Sequence, residues 1–176
     1  NPKVSVVIID FSDEEDFRNS ISGSDVVFCA IGTTNKKVKG DKEAYRKVDY
    51  DIPVNASKYC SETGCRKFAF ISSVGADSKS KNFYLRLKGE VEDELYRSNI
   101  KTILIFRPSI LLGKREEFRP GEEISKALVS PFSFLIPSKY RPVKAHDVAG
   151  SMVTASKRES EGFHIYHYKE MMELLS

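Results

Sequence analysis

Apolar residues in this chain come in short unbroken runs, and the segments between the runs carry helical spacing. Val4-Ser5-Val6-Val7-Ile8-Ile9 is rich in β-branched side chains, ends at Asp10-Phe11, and predicts a buried strand. Ser12-Asp13-Glu14-Glu15 supplies a cap and an acidic first turn for a short helix to about Ile21, broken by Gly23-Ser24-Asp25. Val26 to Ile31 is a second apolar strand, ending in Gly32-Thr33-Thr34. A lysine-rich loop from Asn35 to Lys42 leads into a long helix from about Glu43 to Thr63, with Gly64 as its C-cap. The pattern continues with a strand from Lys67 to Ser72, a helix from about Asn82 to Arg97 and a strand from Lys101 to Arg107 stopped by Pro108. Beyond Gly113 prolines make the chain irregular, with one short helix near Glu122 to Val129. Val143-Lys144 reads as a short strand, Asp147 as the cap of a helix to about Ser156, Phe163 to Tyr166 as a last strand, and Lys169 onward as helix. Strands that are continuous apolar runs, alternating with helices, predict an α/β fold: a doubly wound parallel sheet covered on both faces.

Composition narrows the picture. The chain has 176 residues, 40% of them hydrophobic, enough for a single domain over 1–176 with its own core. Net charge is +3, and the basic residues are not grouped on one predicted face, which argues against a nucleic-acid partner. Cys29, Cys60 and Cys65 form no C-x-x-C pair and leave one thiol over, as expected in a reducing compartment. No apolar run approaches the roughly 18 residues a membrane span needs. These features predict a cytoplasmic domain without a membrane span. His146, His164 and His167 have no metal-ligand spacing with thiols or carboxylates, so no metal is expected.

The chemistry lies in Ile71-Ser72-Ser73-Val74-Gly75 followed by Tyr84-Leu85-Arg86-Leu87-Lys88. Tyr84 and Lys88 are four apart and share one helix face. A serine at the strand end can point its hydroxyl toward that face. The trio suits proton transfer to or from a carbonyl or alcohol: the lysine charge favours tyrosinate, and the serine holds the substrate oxygen. The plain alternative is an amphipathic helix that happens to carry tyrosine and lysine at this spacing.

In order along the chain, Asp10-Phe11, Ala30-Ile31-Gly32-Thr33, Ser73, Tyr84-x-x-x-Lys88 and Arg107-Pro108 resemble the short-chain dehydrogenase/reductase superfamily. The wording is similar, more narrowly, to the atypical branch that contains the Tat-interacting tumour-suppressor-type oxidoreductase and its fungal mitochondrial relatives. That closer match is carried by Phe28 to Thr34, Ser72 to Asp77, Phe83 to Glu92, Phe106-Arg107-Pro108 and Arg115 to Glu122. The resemblance implies a Rossmann-type sheet and an NADP(H)-dependent oxidoreductase, with NAD as the alternative cofactor, acting on a small carbonyl or alcohol. It equally accommodates an NADPH-binding redox sensor that regulates protein partners without turnover. A homodimer, and a nuclear or mitochondrion-associated location, are further expectations it allows.

The resemblance also assigns residues. Tyr84 is the acid or base, Lys88 tunes it and bonds the nicotinamide ribose, and Ser73 orients the substrate, with Ser72 as second candidate. Asp10 and Phe11 contact the adenine, or form only a helix-initiating turn. Ala30, Gly32 and Thr33 line the ribose and diphosphate, or form only a strand-end turn. Pro108, Ile110 and Leu111 present backbone to the carboxamide, or are a strand stop followed by core. The basic loop Lys36-Lys37-Val38-Lys39 faces a cofactor phosphate or is solvated, and Asp49 is expected to be a solvated helix carboxylate. Residues 114–142 form a substrate-side lid. The departure is at the front, where the family's G-x-x-G-x-x-G turn is absent. The strand at Val4 matches the family's third, and in the order 3-2-1-4-5-6 the two missing strands sit between it and the strand at Val26. The expectation is therefore a longer native protein, the alternative being a free-standing remnant with a rearranged sheet.

Overall fold

A computed structural model describes residues 2–112 and 137–176. Helix α1 (Glu14–Ile21) is capped by Asp13, whose carboxylate accepts the Glu15 and Asp16 amides. It buries Phe17 and Ile21. Strand β1 (Val26–Cys29) follows, then β2 (Lys67–Ile71), β3 (Thr102–Phe106) and, far along the chain, β6 (Gly162–Tyr166). The four make one sheet in the order β1-β2-β3-β6, parallel throughout, with Val26 beside Lys67, Lys67 beside Thr102 and Thr102 beside Gly162. The short strands β4 (Leu111–Leu112) and β5 (Val143–Lys144) pair with each other, also in parallel.

Parallel strands need crossovers, and helices supply them. The helix expected from about Glu43 to Thr63 is present but not regular: α2 (Lys42–Arg46), one π turn (Lys47–Asp51) and α3 (Ile52–Glu62) run on continuously. The cause is Pro53, which has no N–H to give the carbonyl of Asp49 and whose ring crowds it; the widened turn accommodates both. Helix α3 closes on Gly64 at φ 77°, with the Gly64 amide on the Ser61 carbonyl and the Cys65 amide on the Cys60 carbonyl, a Schellman ending. Helix α4 (Phe83–Arg97) crosses from β2 to β3, α5 (Ala145–Ser156) lies between β5 and β6, and α6 (Tyr168–Glu173) ends the chain.

Both sheet faces are covered. On one, Phe68, Phe70, Ile103 and Ile105 pack with Phe17, Tyr59, Cys60, Val91 and Leu95. On the other, Ala69, Leu104 and Phe106 meet Val143, Val148, Met152 and Met171. Neighbouring residues of β2 and β3 thus serve opposite layers, as the pleat requires. This is a Rossmann-like doubly wound sheet.

Two expectations are corrected. Val4 to Ile9 is not a buried strand: Val6 and Ile8 are 85% and 94% exposed. Among the described residues no strand offers this run a ladder, and β-branched composition alone does not pair a backbone. Asp147 does not cap α5: Lys144 occupies that position directly out of β5, and Asp147 sits in the first helical turn, where its charge complements the dipole. The short helix expected at 122–129 lies outside the described residues, as does most of the 114–142 lid; of the latter, 137–142 contributes a 3-10 turn, Ser138–Tyr140.

Candidate active site

The carboxyl ends of β1, β2 and β3 lie side by side, and α4 begins above them. Asn82 caps α4 by accepting the Leu85 amide, and the Leu85 carbonyl in turn accepts the Asp77 amide. Tyr84, Lys88 and Glu92 then fall on one stripe at successive turns. Tyr84 is 38% exposed, whereas Lys88 and Glu92 are 3% and 5% exposed. The stripe runs from solvent down to the strand ends. Its depth is set at Gly89, where any side chain would collide with the backbone of Asp77 and Ser78.

Lys88 is buried with a partner. Its Nζ lies 3.3 Å from Asp49 Oδ1, 3.5 Å from the Ile71 carbonyl, 4.8 Å from the Phe70 ring centre and 6.0 Å from that of Tyr84. Asp49 is therefore not the solvated helix carboxylate expected: it is 1% exposed, because the π turn swings it inward. Its Oδ2 accepts the Thr33 amide at 2.7 Å, and Oδ1 would sit 3.2 Å from a Cβ at Gly32. Tyr45, from α2, donates to the Thr33 carbonyl at 3.4 Å. One carboxylate thus ties the loop after β1 to the lysine on α4.

The two serines separate clearly. Ser72 is 3% exposed and donates to Glu92, which also accepts Arg107 in a two-point pair, Nε at 3.0 Å. That hydroxyl is turned into the interior. Ser73 is half-buried, and among the described residues its hydroxyl makes only a long 3.4 Å bond to the Val74 carbonyl.

The cofactor-side residues are placed as follows. Asp10 is exposed, and its Oδ1 accepts both the amide and the hydroxyl of Ser12, which holds its carboxyl below the usual range. Phe11 stands edge-on to Phe17 with ring centres 4.9 Å apart. Ala30 and Gly32 are exposed at the end of β1, and Thr33 is half-buried. The carbonyls of Pro108 and Ile110 accept the Val74 and Val143 amides, and Leu111 begins β4. The basic loop folds on itself, the Gly40 amide returning to the Asn35 carbonyl. Tyr84, Lys88, Gly32 and Thr33 are thus brought to one rim; Asp10 and Phe11 stand at the head of α1.

Electrostatics at the rim show in a bystander thiol. Burial pushes Cys29 up, while Lys88 pulls it down and Asp49 pushes it up again. Burial does the same to Cys60, further raised by Cys65 beside it. Burial, with the Arg107 charge second, holds His167 below the ordinary histidine range. Among the described residues no group of histidine, cysteine and carboxylate side chains could hold a metal, and no helix is long and apolar enough to cross a membrane.

A parallel sheet whose carboxyl edge holds a glycine strand-end and a buried lysine is the setting of dinucleotide chemistry. The family model described as NAD(P)H-binding matches residues 1–157. The chain belongs to this family, as an atypical short-chain dehydrogenase/reductase. It is similar to Protein HTATIP2 of Rattus norvegicus, 35% identical over 70% of this chain and 50% of that protein. It is likewise similar to mitochondrial Protein FMP52 of Meyerozyma guilliermondii, 41% identical over 53% of this chain and 40% of that protein. The chain therefore spans half or less of these relatives' length. Among solved structures, the UDP-glucose 4-epimerase of Thermus thermophilus in complex with NAD shares the fold, with a TM-score of 0.65 at 16% identity over 94% of this chain and 66% of that one.

Sequence reasoning missed Asp49 as a site residue and gave Glu92 and Arg107 no role. Each left a trace. Pro53 marks a disturbed turn at Asp49, and Glu92 continues the Tyr84-Lys88 stripe at the next i+4 step.

Proposed function

We propose that this chain carries the catalytic residues of an NADP(H)-dependent oxidoreductase of short-chain dehydrogenase type that acts on a small carbonyl or alcohol. The observation that carries the reading is the α4 stripe: an accessible phenol one turn above a buried ammonium, at the carboxyl edge of the sheet. The rim suits a dinucleotide because Gly32 is exposed and lacks a side chain where the strand ends, so a ligand can approach its backbone. Gly32, Thr33 and Lys88 would hold it, with Asp10 and Phe11 toward the adenine and Pro108, Ile110 and Leu111 toward the carboxamide. When bound, NAD(P)H supplies the hydride. Ser73 and Tyr84 hold the substrate oxygen between them, Tyr84 gives it the proton, and Lys88 steadies the charge left on the phenol. The mitochondrial label of the FMP52 relatives makes a mitochondrion-associated site a second location to test beside the cytoplasm.

Titrating the chain with NADPH and NADH, followed by a panel of aldehydes, ketones and quinones, tests this. The expected result is tighter NADPH binding and oxidation of NADPH by at least one carbonyl, lost by more than about a hundredfold in Tyr84→Phe. Binding without turnover across the panel would replace the reductase with a redox sensor that engages regulatory partners. The observation favouring that second reading is that the Lys88 charge is matched by Asp49.

A further inference from the structure

The turn that closes α3 brings two cysteines together. Gly64, at φ 77°, turns the chain back so that the Cys65 amide reaches the Cys60 carbonyl at 2.9 Å. In a Schellman ending the residues three before and two after the C-cap, here Thr63, pack side by side, usually as an apolar pair. In this chain both positions are cysteine, and both are free thiols. Their sulfurs converge. The Lys67 carbonyl lies 3.4 Å from Cys65 Sγ and 3.9 Å from Cys60 Sγ, and the Cys65 carbonyl lies 3.7 Å from Cys60 Sγ. The two side chains also hydrogen-bond each other. Both residues are enclosed, Cys60 at 0% and Cys65 at 5% exposure. The segment is held on either side: the Thr63 hydroxyl donates to the Tyr59 carbonyl at 2.7 Å, and β2 begins at Lys67. Cys29 stands apart, at the end of β1 beside Lys88 and Asp49.

We propose that Cys60 and Cys65 are a redox-modification site: a low-molecular-weight disulfide such as oxidised glutathione converts them to a reversible disulfide that staples the turn between α3 and β2. Cys65, the more exposed of the two, attacks oxidised glutathione as its thiolate. The glutathione S–S bond breaks, a mixed disulfide forms on Cys65, and one reduced glutathione leaves. Cys60 then gives its proton to water and attacks Cys65 Sγ; the mixed disulfide breaks and a second reduced glutathione leaves. Two electrons pass from the protein thiols to glutathione, and no other reactant enters. The oxidant gains access when the last turn of α3 opens, as helix ends do. Burial, and then the bond to Cys65, keeps Cys60 protonated, so the closing step is slow at neutral pH. That governs the rate; the equilibrium is set by how closely the fold already holds the two side chains in bonding geometry.

The test is equilibration of the full chain with mixtures of reduced and oxidised glutathione, once folded and once in urea, quenched with acid and read by mass spectrometry. Equilibrium is approached from both the reduced and the oxidised chain, so that slow closing is not mistaken for absence. Trypsin cuts after Lys58 and Arg66, so both cysteines fall in the one peptide 59–66, which the disulfide makes lighter by two hydrogens. The folded chain is expected to favour the disulfide at least about tenfold more than the unfolded chain at the same glutathione ratio, because a disulfide that fits a fold stabilises it. Cys29→Ser should leave that preference unchanged, and Cys60→Ser should abolish the loss of two hydrogens. An equal or smaller preference in the folded chain overturns the proposal. So does a folded chain that yields only glutathione adducts or disulfide-linked dimers. The readout needs neither cofactor nor turnover, so it stands or falls apart from the oxidoreductase reading.

Discussion

Gly89 gives the sharpest test of how α4 is held over the sheet. Alanine in a helix interior is ordinarily better than glycine by about 1 kcal/mol, because glycine loses more backbone freedom on folding. At Gly89 that preference should be overruled. A Cβ there would stand 2.2 Å from the Ser78 nitrogen, 2.3 Å from the Asp77 carbonyl carbon and 2.7 Å from its Cα. All three are backbone atoms, so no rotamer change relieves them, and the nearest must open by 0.8 Å merely to reach 3.0 Å. The loop cannot simply swing away, because the Asp77 amide is bonded to the Leu85 carbonyl on the same helix. Overpacking of this kind costs about 3 kcal/mol at the upper end of its usual range, which leaves Gly89→Ala about 2 kcal/mol less stable after the helix preference is credited. Urea unfolding followed by far-ultraviolet circular dichroism measures it. Gly150→Ala in α5 is the control: its Cβ would meet only the Leu175 Cδ2, at 3.1 Å, the mobile end of a side chain, so it should be close to neutral. If Gly89→Ala proves as stable as Gly150→Ala, the close crossing of α4 over the 77–78 loop is wrong, and with it the depth assigned to Lys88.

Two further outcomes are expected. Glu92→Gln should cost about 3 kcal/mol in urea unfolding, since it removes the charge that Arg107 and the Ser72 hydroxyl both use; in a cycle with Arg107→Met, a coupling below about 0.5 kcal/mol would mean the pair is not formed. His167 is held below its unfolded value by burial and then Arg107, so the folded protein resists the imidazolium, and stability is intact above about pH 6.5 and lost as pH falls below it. The urea midpoint should slope less through that window in His167→Asn, and an unchanged slope would place the acid sensitivity elsewhere.

Periodicity was a good guide wherever layers cover both faces of a segment. Lys67 to Ile71 and Thr102 to Phe106 are apolar on both faces because layers cover both, so their unbroken runs mark parallel strands correctly. Val4 to Ile9 carries the same composition and forms no strand, because pairing depends on a partner backbone that a one-dimensional pattern cannot reveal. The C-cap at Gly64 was legible to a residue, and the observed N-caps, Asp13 and Asn82, fall within the stretches expected to begin their helices. Asp147 was misjudged because the chain passes from β5 into α5 with no intervening turn for a cap to close.

The site was legible along one helix and illegible across elements. Tyr84 and Lys88 are four apart, so their common face follows from helix geometry alone. The partners of that stripe come from distant positions: Asp49 is 39 residues before Lys88, and Arg107 is 15 residues after Glu92. A carboxylate on a helix is usually solvated, and only the enclosing surroundings reverse that. The two buried pairs nevertheless differ in place. Glu92 joins Arg107 and the Ser72 hydroxyl beneath the strand ends, whereas Asp49 holds the Lys88 ammonium one helical turn below Tyr84.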